Sequence, residues 1–171
     1  MDFGPAEVGL DEAVGDGRLN GRGLEVLPAL RAVVLSVVEN GLVAANERMM
    51  NWLRGREAVR FVGEPAPLPV KLIDFDNPRA NKLVVSREVW FGPPAERRRY
   101  DLVLWVNGFP LAVGETKTPT KQSVSWLNAA RDIHNTYEVE QPGFFVANVL
   151  NFATEGKEFR YGPVRVIRSS G

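Results

Sequence analysis

The feature that most constrains this chain is a predicted β-hairpin over residues 100–119, Y-D-L-V-L-W-V-N-G-F-P-L-A-V-G-E-T-K-T-P. The dipeptide Asn107-Gly108 at its centre strongly favours a tight hairpin turn. The flanking residues 102–106 and 109–113 are almost continuously apolar, which is typical of strands that are covered on both faces. The remaining sequence must therefore supply the elements that cover this central pair of strands.

Three ionisable residues, Asp101, Glu115 and Lys117, lie at the ends of these strands. Burying such groups costs free energy unless they are paired, hydrogen-bonded or bound to a metal. A two-residue loop would pair Tyr100 with Glu115 and put Asp101 on the opposite face. A three-residue loop, such as a type I turn closed by Gly108, would put all three groups on one face. Two carboxylates and an ammonium would then suit Mg²⁺, with the lysine beside the water that loses its proton.

The composition limits what else the chain can bind. It has 171 residues, enough for one core, with no cysteine and one histidine, so disulfides, cysteine-ligated zinc and histidine-rich metal sites are excluded. Its 21 basic and 21 acidic residues give no net charge, unlike many nucleic-acid-binding proteins. No apolar run approaches the roughly 18 residues of a membrane span, and the N-terminus lacks the order of a signal peptide. We therefore expect a cytoplasmic protein with no membrane partner.

Apolar periodicity predicts helices over residues 24–39, 43–54 and 121–137, the first starting near Val26 because Pro28 fits only in a first turn. Strands are predicted over residues 58–62, 70–75, 82–91 and 143–149, near Phe152, and over residues 159–167. A strand, a helix and a further strand imply a crossover, so we predict an α/β fold with a mixed sheet flanked by helices. Residues 1–22 are predicted to be a flexible lead-in to a single domain over residues 23–171.

Asp101, followed after a hairpin by Glu115-Thr116-Lys117, resembles the D…(D/E)-x-K signature of the PD-(D/E)XK nucleases. The stretch R-R-Y-D-L-V-L-W-V-N-G-F-P-L-A-V-G-E-T-K-T-P is similar to the nuclease segment of type I restriction subunits, usually R-P-D-x-V-x-F-V-N-G-x-P-L-x-x-x-E-x-K. Further matches follow in the family's order: Ala45-Asn46, Trp52-Leu53-Arg54-Gly55, Ile73-Asp74-Phe75-Asp76-Asn77-Pro78 with Asn81, Pro142-Gly143-Phe144-Phe145 with Asn148, and Glu155-Gly156. The resemblance extends over most of residues 20–165.

This resemblance implies a restriction-endonuclease-like fold and a Mg²⁺-dependent endonuclease that acts on double-stranded DNA. It implies that Asp101, Glu115 and Lys117 are catalytic, with Asp101 and Glu115 holding the metal. It also implies the N-terminal nuclease part of a longer restriction subunit, whose partners are modification and specificity subunits. The phosphate-binding sequence G-x-x-x-x-G-K-[ST] is absent, so ATP would act only through domains outside this chain.

Several residues around the motif are candidates for DNA contact. The run Arg97-Arg98-Arg99 suits a phosphate backbone, and it suits a solvated loop equally well. Lys121 and Gln122, at the start of the third predicted helix, are placed to reach a scissile phosphate with help from the helix dipole.

Tyr137 is a further candidate for DNA contact and matches the tyrosine of a Gln-x-x-x-Tyr element that is common in this nuclease branch. Ile133 stands where the resemblance implies a glutamine that contacts DNA or the region of the catalytic lysine. An alternative hypothesis is therefore a catalytically silent module of the same fold that binds DNA or other subunits. A solute-binding or purely structural α/β domain is a weaker third hypothesis. Because all three chemical residues are present, the nuclease is favoured. Asp74 and Asp76, before Pro78, are predicted to form an Asx turn rather than a metal site.

Overall fold

The structure is a computed structural model that describes residues 22–117, 130–155 and 159–164. Residues 1–21 of the predicted lead-in lie outside the described residues. So do residues 121–129 of the third predicted helix, with Lys121 and Gln122, and residues 165–167 of the last predicted strand.

Two helices open the described chain, α1 (Gly23–Leu35) and α2 (Val37–Leu53). The prediction that α1 starts near Val26 is wrong, because the helix begins three residues earlier and continues past Pro28, which donates no backbone hydrogen bond. It ends at Leu35 rather than at residue 39, and α2 then contains a kink at Gly41, whose φ is 78°. In the part of the chain that the structure describes, no single helix is long and apolar enough to cross a membrane. The two helices meet that requirement only when joined, across a bend of 111°.

A mixed five-stranded sheet forms the centre of the fold, which confirms the predicted α/β class. Its strands Phe109–Thr116 and Leu150–Thr154 run parallel to each other, and the other neighbouring strands run antiparallel. A separate small pair joins β1 (Ala58–Val59) to β2 (Leu68–Pro69). The strands of the large sheet, in their spatial order, are β3 (Leu83–Phe91), β4 (Arg98–Val106), β5 (Phe109–Thr116), β6 (Leu150–Thr154) and β7 (Phe159–Gly162).

The strand predicted over residues 143–149 is wrong. Pro142–Phe145 is a short 3₁₀ helix, and the parallel strand begins only at Leu150. The apolar residues are buried by ring packing rather than in a strand. The Phe144 ring stacks on Tyr100, with centroids 4.6 Å apart. Asn46 of α2 donates from Nδ2 to the carbonyl oxygens of Val146 at 2.9 Å and Asn148 at 2.8 Å, so a side chain supplies hydrogen bonds that a sheet would otherwise provide.

The strand predicted over residues 70–75 is also wrong, and the strand over residues 58–62 is shortened to two residues. Residues 70–77 form an irregular loop because the Asp74 carboxylate accepts the backbone N–H groups of Asp76 at 3.1 Å and Asn77 at 2.9 Å. These bonds confirm the predicted Asx turn, and a 3₁₀ helix, Pro78–Ala80, follows it.

The central hairpin turns through two residues, Asn107 and Gly108, with φ angles of 52° and 83°. Of the two loops considered from the sequence, the structure has the two-residue one. The one-residue shift that sets Asp101 opposite Glu115 comes from a β-bulge, in which Leu111 of β5 is the extra residue next to Pro110. Proline is tolerated at bulges because it has no N–H to donate to the ladder. The paired residues are Val106 with Phe109 and Trp105 with Pro110 before the bulge, and Leu104 with Ala112 and Leu102 with Gly114 after it.

The register after the bulge, continued by one residue, sets Asp101 opposite Glu115. The carbonyl oxygen of Leu111 accepts the backbone N–H of Val149 at 2.8 Å, so the bulge also receives the chain that leads into β6. One irregular residue thus sets both the hairpin register and the entry of the parallel strand.

Asn107 ties the hairpin turn to the loop before β3. Its Nδ2 donates to the carbonyl oxygen of Leu72 at 2.8 Å and to Oδ1 of Asn81 at 2.9 Å. Its Oδ1 accepts the backbone N–H of Lys82 at 2.8 Å. The side chain is buried, so these polar groups depend on one another for hydrogen bonding.

We predict that Asn107→Gly lowers the free energy of unfolding by about 2–3 kcal/mol, because glycine keeps the positive φ but removes the three hydrogen bonds of this buried side chain. Urea unfolding followed by circular dichroism measures the change. Asn77→Gly, the same substitution at an exposed position, is the matched control. Equal losses in the two variants would contradict this account.

A second prediction concerns Gly114, where an added Cβ would lie 2.1 Å from the Phe152 ring. That ring is stacked on Phe159, with centroids 5.5 Å apart, so Gly114→Ala must displace it. We expect a loss of about 1–3 kcal/mol in the free energy of unfolding. Gly162→Ala is the control, since its Cβ would meet nothing within 4 Å, and denaturant midpoints for both variants provide the test.

Candidate functional site

The candidate site lies where β5 ends beside β6. Glu115 is the penultimate residue of β5, and the backbone N–H of Lys117 donates to the carbonyl oxygen of Thr154 at 2.9 Å, which continues the parallel pairing. Glu115 is only 5% exposed because β5 is the middle strand of the sheet. The fold therefore holds a carboxylate in the interior at the end of a strand.

Two side chains surround the Glu115 carboxylate. Its Oε1 accepts a hydrogen bond from Nζ of Lys117 at 2.9 Å, and its Oε2 lies 3.4 Å from the hydroxyl of Tyr137, which donates. Burial raises the pKa of Glu115, the Lys117 hydrogen bond opposes that change, and the negative charge of Asp101 adds to it. A nearby cation would favour the ionised carboxylate and so lower the pKa, against the effects of burial and of Asp101.

Asp101 is held against the same strand end. Its Oδ2 accepts the backbone N–H of Thr116 at 2.9 Å and the Thr116 hydroxyl at 2.8 Å. Its Oδ1 lies 3.9 Å from Nη2 of Arg99. Two carboxylates thus approach one another at the end of the hairpin, in the register that the bulge produces.

Lys117 contacts a residue that sequence reasoning missed. Its Nζ lies 2.7 Å from Oδ2 of Asp132, as well as 2.9 Å from Oε1 of Glu115. Desolvation acts to lower the pKa of Lys117, but the hydrogen bonds to Asp132 and Glu115 outweigh it and the pKa is raised. Lys117 is therefore an ammonium held between two carboxylates.

Asp132 reaches the site from a π-helix over Asp132–Tyr137. Ile133, which stands where the resemblance predicts glutamine, is only 1% exposed and belongs to the hydrophobic core. The predicted contact near the lysine is therefore made by the preceding residue, with a carboxylate in place of an amide. The only sequence signal for it is an acidic residue next to the substituted position.

A second buried carboxylate anchors this segment. Glu138, which follows the π-helix in the short helix α3 (Glu138–Glu140), is fully buried, and its Oε1 accepts a hydrogen bond from Nδ2 of Asn151 on β6 at 2.8 Å. The same oxygen lies 3.0 Å from Nδ1 of His134. These contacts hold the π-helix against the sheet.

The donors of the site suit a hard cation. Asp101 and Glu115 offer only oxygen ligands, and Mg²⁺ commonly takes one or two carboxylates and completes its shell with water and phosphate oxygens. Within residues 22–117, 130–155 and 159–164, no group of three or more His, Cys, Asp or Glu side chains is arranged to hold a metal. A cation held by Asp101 and Glu115 would therefore take its remaining ligands from substrate and solvent.

The predicted DNA contacts lie on the surface beside the site. Arg97 is exposed, Arg98 forms an ion pair with Glu140, and Nη1 of Arg99 lies 3.1 Å from Oε1 of Glu88. Two of the three arginines thus have acidic partners in this structure.

Comparison with known proteins finds relatives of this chain among type I restriction enzyme subunits. Two relatives are a protein described as a type I restriction enzyme MjaIXP endonuclease subunit, from Methanocaldococcus jannaschii, and the type I restriction enzyme HindI endonuclease subunit of Haemophilus influenzae. The first is 32% identical over 103 residues, which are 58% of this chain and 10% of the relative. The second is 29% identical over 140 residues, which are 78% of this chain and 13% of the relative. The chain thus spans only a small fraction of the length of either protein.

A family model described as the type I restriction enzyme R protein N terminus matches residues 14–166. That range includes every helix and strand described above and every residue of the site. The chain therefore belongs to the family of N-terminal domains of type I restriction enzyme R subunits.

Proposed function

We propose that this chain is a Mg²⁺-dependent endonuclease domain that hydrolyses phosphodiester bonds of double-stranded DNA as part of a type I restriction enzyme. The observation that carries the proposal is the buried carboxylate of Glu115, with Asp101 approaching it and Lys117 hydrogen-bonded to it. A buried carboxylate beside another negative charge destabilises the folded state, because both the loss of hydration and the charge repulsion raise its free energy. Such a pair is therefore expected where a function requires it.

Each residue has a separate role in the proposed reaction. Asp101 and Glu115 hold the metal, which when bound supplies positive charge beside the scissile phosphate and acidifies a water molecule. Lys117 orients the attacking water and offsets the negative charge that develops on the phosphate. Its position between two carboxylates favours the role of a cation and hydrogen-bond donor over that of a proton acceptor.

The proposed substrate and partners extend beyond the site. Arg97 is exposed and contacts the DNA backbone in this proposal, whereas Arg98 and Arg99 exchange Glu140 and Glu88 for phosphate. The named relatives are endonuclease subunits of type I restriction enzymes, so the further proposed partners are modification and specificity subunits. ATP acts only through domains outside this chain.

In the assembled enzyme, we expect Asp101→Ala, Glu115→Ala and Lys117→Ala each to reduce DNA cleavage by about 100-fold or more, because each removes charge stabilisation that the transition state needs. ATP hydrolysis should stay at the wild-type rate in all three variants. Cleavage and ATPase assays on the same reconstituted complexes provide the measurement. If Lys117→Ala cleaves DNA like the wild type, the silent-module hypothesis becomes the better one.

We further expect the 171-residue chain alone to cleave plasmid DNA weakly or not at all at physiological salt. Its net charge of zero supplies no long-range attraction, and non-specific DNA affinity arises mainly from phosphate neutralisation by Lys and Arg. Nicking of supercoiled plasmid with Mg²⁺, compared with the Lys117→Ala chain, measures any residual activity. Robust cutting by the wild-type chain would show that other domains are not needed to deliver DNA.

A further inference from the structure

The ammonium of Lys117 bridges two elements of the fold. It lies between Oε1 of Glu115 on β5 and Oδ2 of Asp132 on the π-helix, at 2.9 Å and 2.7 Å. The Asp132 side chain is 43% exposed, whereas that of Glu115 is almost fully buried. The two carboxylates that share the lysine therefore differ in position and in access to solvent.

Glu115 cannot serve Lys117 and a divalent cation equally well. A metal held by Glu115 and Asp101 would compete with Lys117 for the Glu115 carboxylate and repel the ammonium. Lysine is a long, flexible side chain, so with Glu115 as its sole partner it would leave the site for solvent. Asp132 lies on a different element, and it remains available to Lys117 when Glu115 turns to the metal.

We infer that Asp132 is a positioning residue, which keeps the Lys117 ammonium at the site while Glu115 exchanges that ammonium for the metal. This inference rests on the proposed function. The contacts agree with it, because Asp132 gives the ammonium a second carboxylate partner, so Glu115 can release the lysine without leaving it unpaired.

The π-helix explains how Asp132 reaches this position. Tyr137, five residues later, contacts Glu115, so both ends of the segment must face the site. In an α-helix only residues three or four apart are neighbours on one face. In a π-helix the hydrogen-bond repeat is five residues, which brings residues 132 and 137 to the same side. The wider turn is therefore what allows one segment to contact both Lys117 and Glu115.

Metal titration of the 171-residue chain tests the inference without relying on cleavage. We use Mn²⁺ as the probe and calorimetry as the measurement. Asp132→Asn should weaken Mn²⁺ binding about 10-fold, because Lys117 then pairs with Glu115 alone and competes with the metal. In a Lys117→Met background, the same Asp132→Asn change should have an effect of about 3-fold or less. Asp132→Glu should restore most of the affinity of the wild type.

A loss of Mn²⁺ affinity that is equally large with and without Lys117 would overturn the inference, since Asp132 would then act on the metal directly. Unchanged affinity in Asp132→Asn would overturn it as well. Asp101→Asn and Glu115→Gln are the controls for the proposed function. If neither weakens Mn²⁺ binding, the metal site itself is wrong, and that result is separate from the behaviour of Asp132.

In the assembled enzyme, Asp132→Asn should lower kcat for DNA cleavage about 10-fold and leave KM for DNA unchanged, because the lysine is misplaced in the bound complex. Asp132→Glu should recover most of kcat. A rise in KM at constant kcat would contradict a positioning role and assign Asp132 to DNA binding. Normal cleavage in Asp132→Asn would equally overturn the inference.

Discussion

A carboxylate in the interior of a protein must have its charge matched, and Glu115 places that requirement on the structure around it. Lys117 supplies the opposite charge, and the Tyr137 hydroxyl supplies a second donor. Lys117 in turn needs Asp132, which contacts it from a different element. The arrangement of the hairpin end and of the π-helix can therefore be understood as one electrostatic unit.

The segment over residues 130–140 is fixed to the sheet by two carboxylates of different kinds. Glu138 is fully buried and bonds to Asn151 on β6, whereas Asp132 is partly exposed and bonds to Lys117 after β5. Between them, Ile133 packs into the hydrophobic core. Polar contacts to two adjacent strands and one apolar contact thus determine the position of the segment, and an unusual helical turn is retained where those contacts require it.

Much of the fold could be predicted from the sequence, because the hairpin has a local turn signal and the α1 stripe has a regular apolar period. The mixed sheet is confirmed, and Asp101, Glu115 and Lys117 meet at one end of the hairpin, although their catalytic role stays a prediction. Asp132 could not be predicted, because its contact depends on a π-turn that no simple periodicity indicates. The strand prediction over residues 143–149 is wrong because an apolar run indicates burial but does not distinguish a strand from a buried 3₁₀ helix. Pro110 was the available signal for the bulge, since proline in a central strand favours one.

The bulge at Leu111 determines how the two acidic positions of the proposed site are spaced along the hairpin. Side chains alternate between the faces of a strand, so a regular ladder over the same number of residues would pair Tyr100 with Glu115 and put Asp101 on the opposite face. Deletion of the extra residue itself would keep Asp101 opposite Glu115, because the shorter hairpin would need no bulge. The letters D…E-x-K therefore bring the two acidic side chains to one face only when the number of residues between them matches the turn and the bulge of the hairpin. Counting the residues between the acidic positions therefore carries information that the motif itself does not.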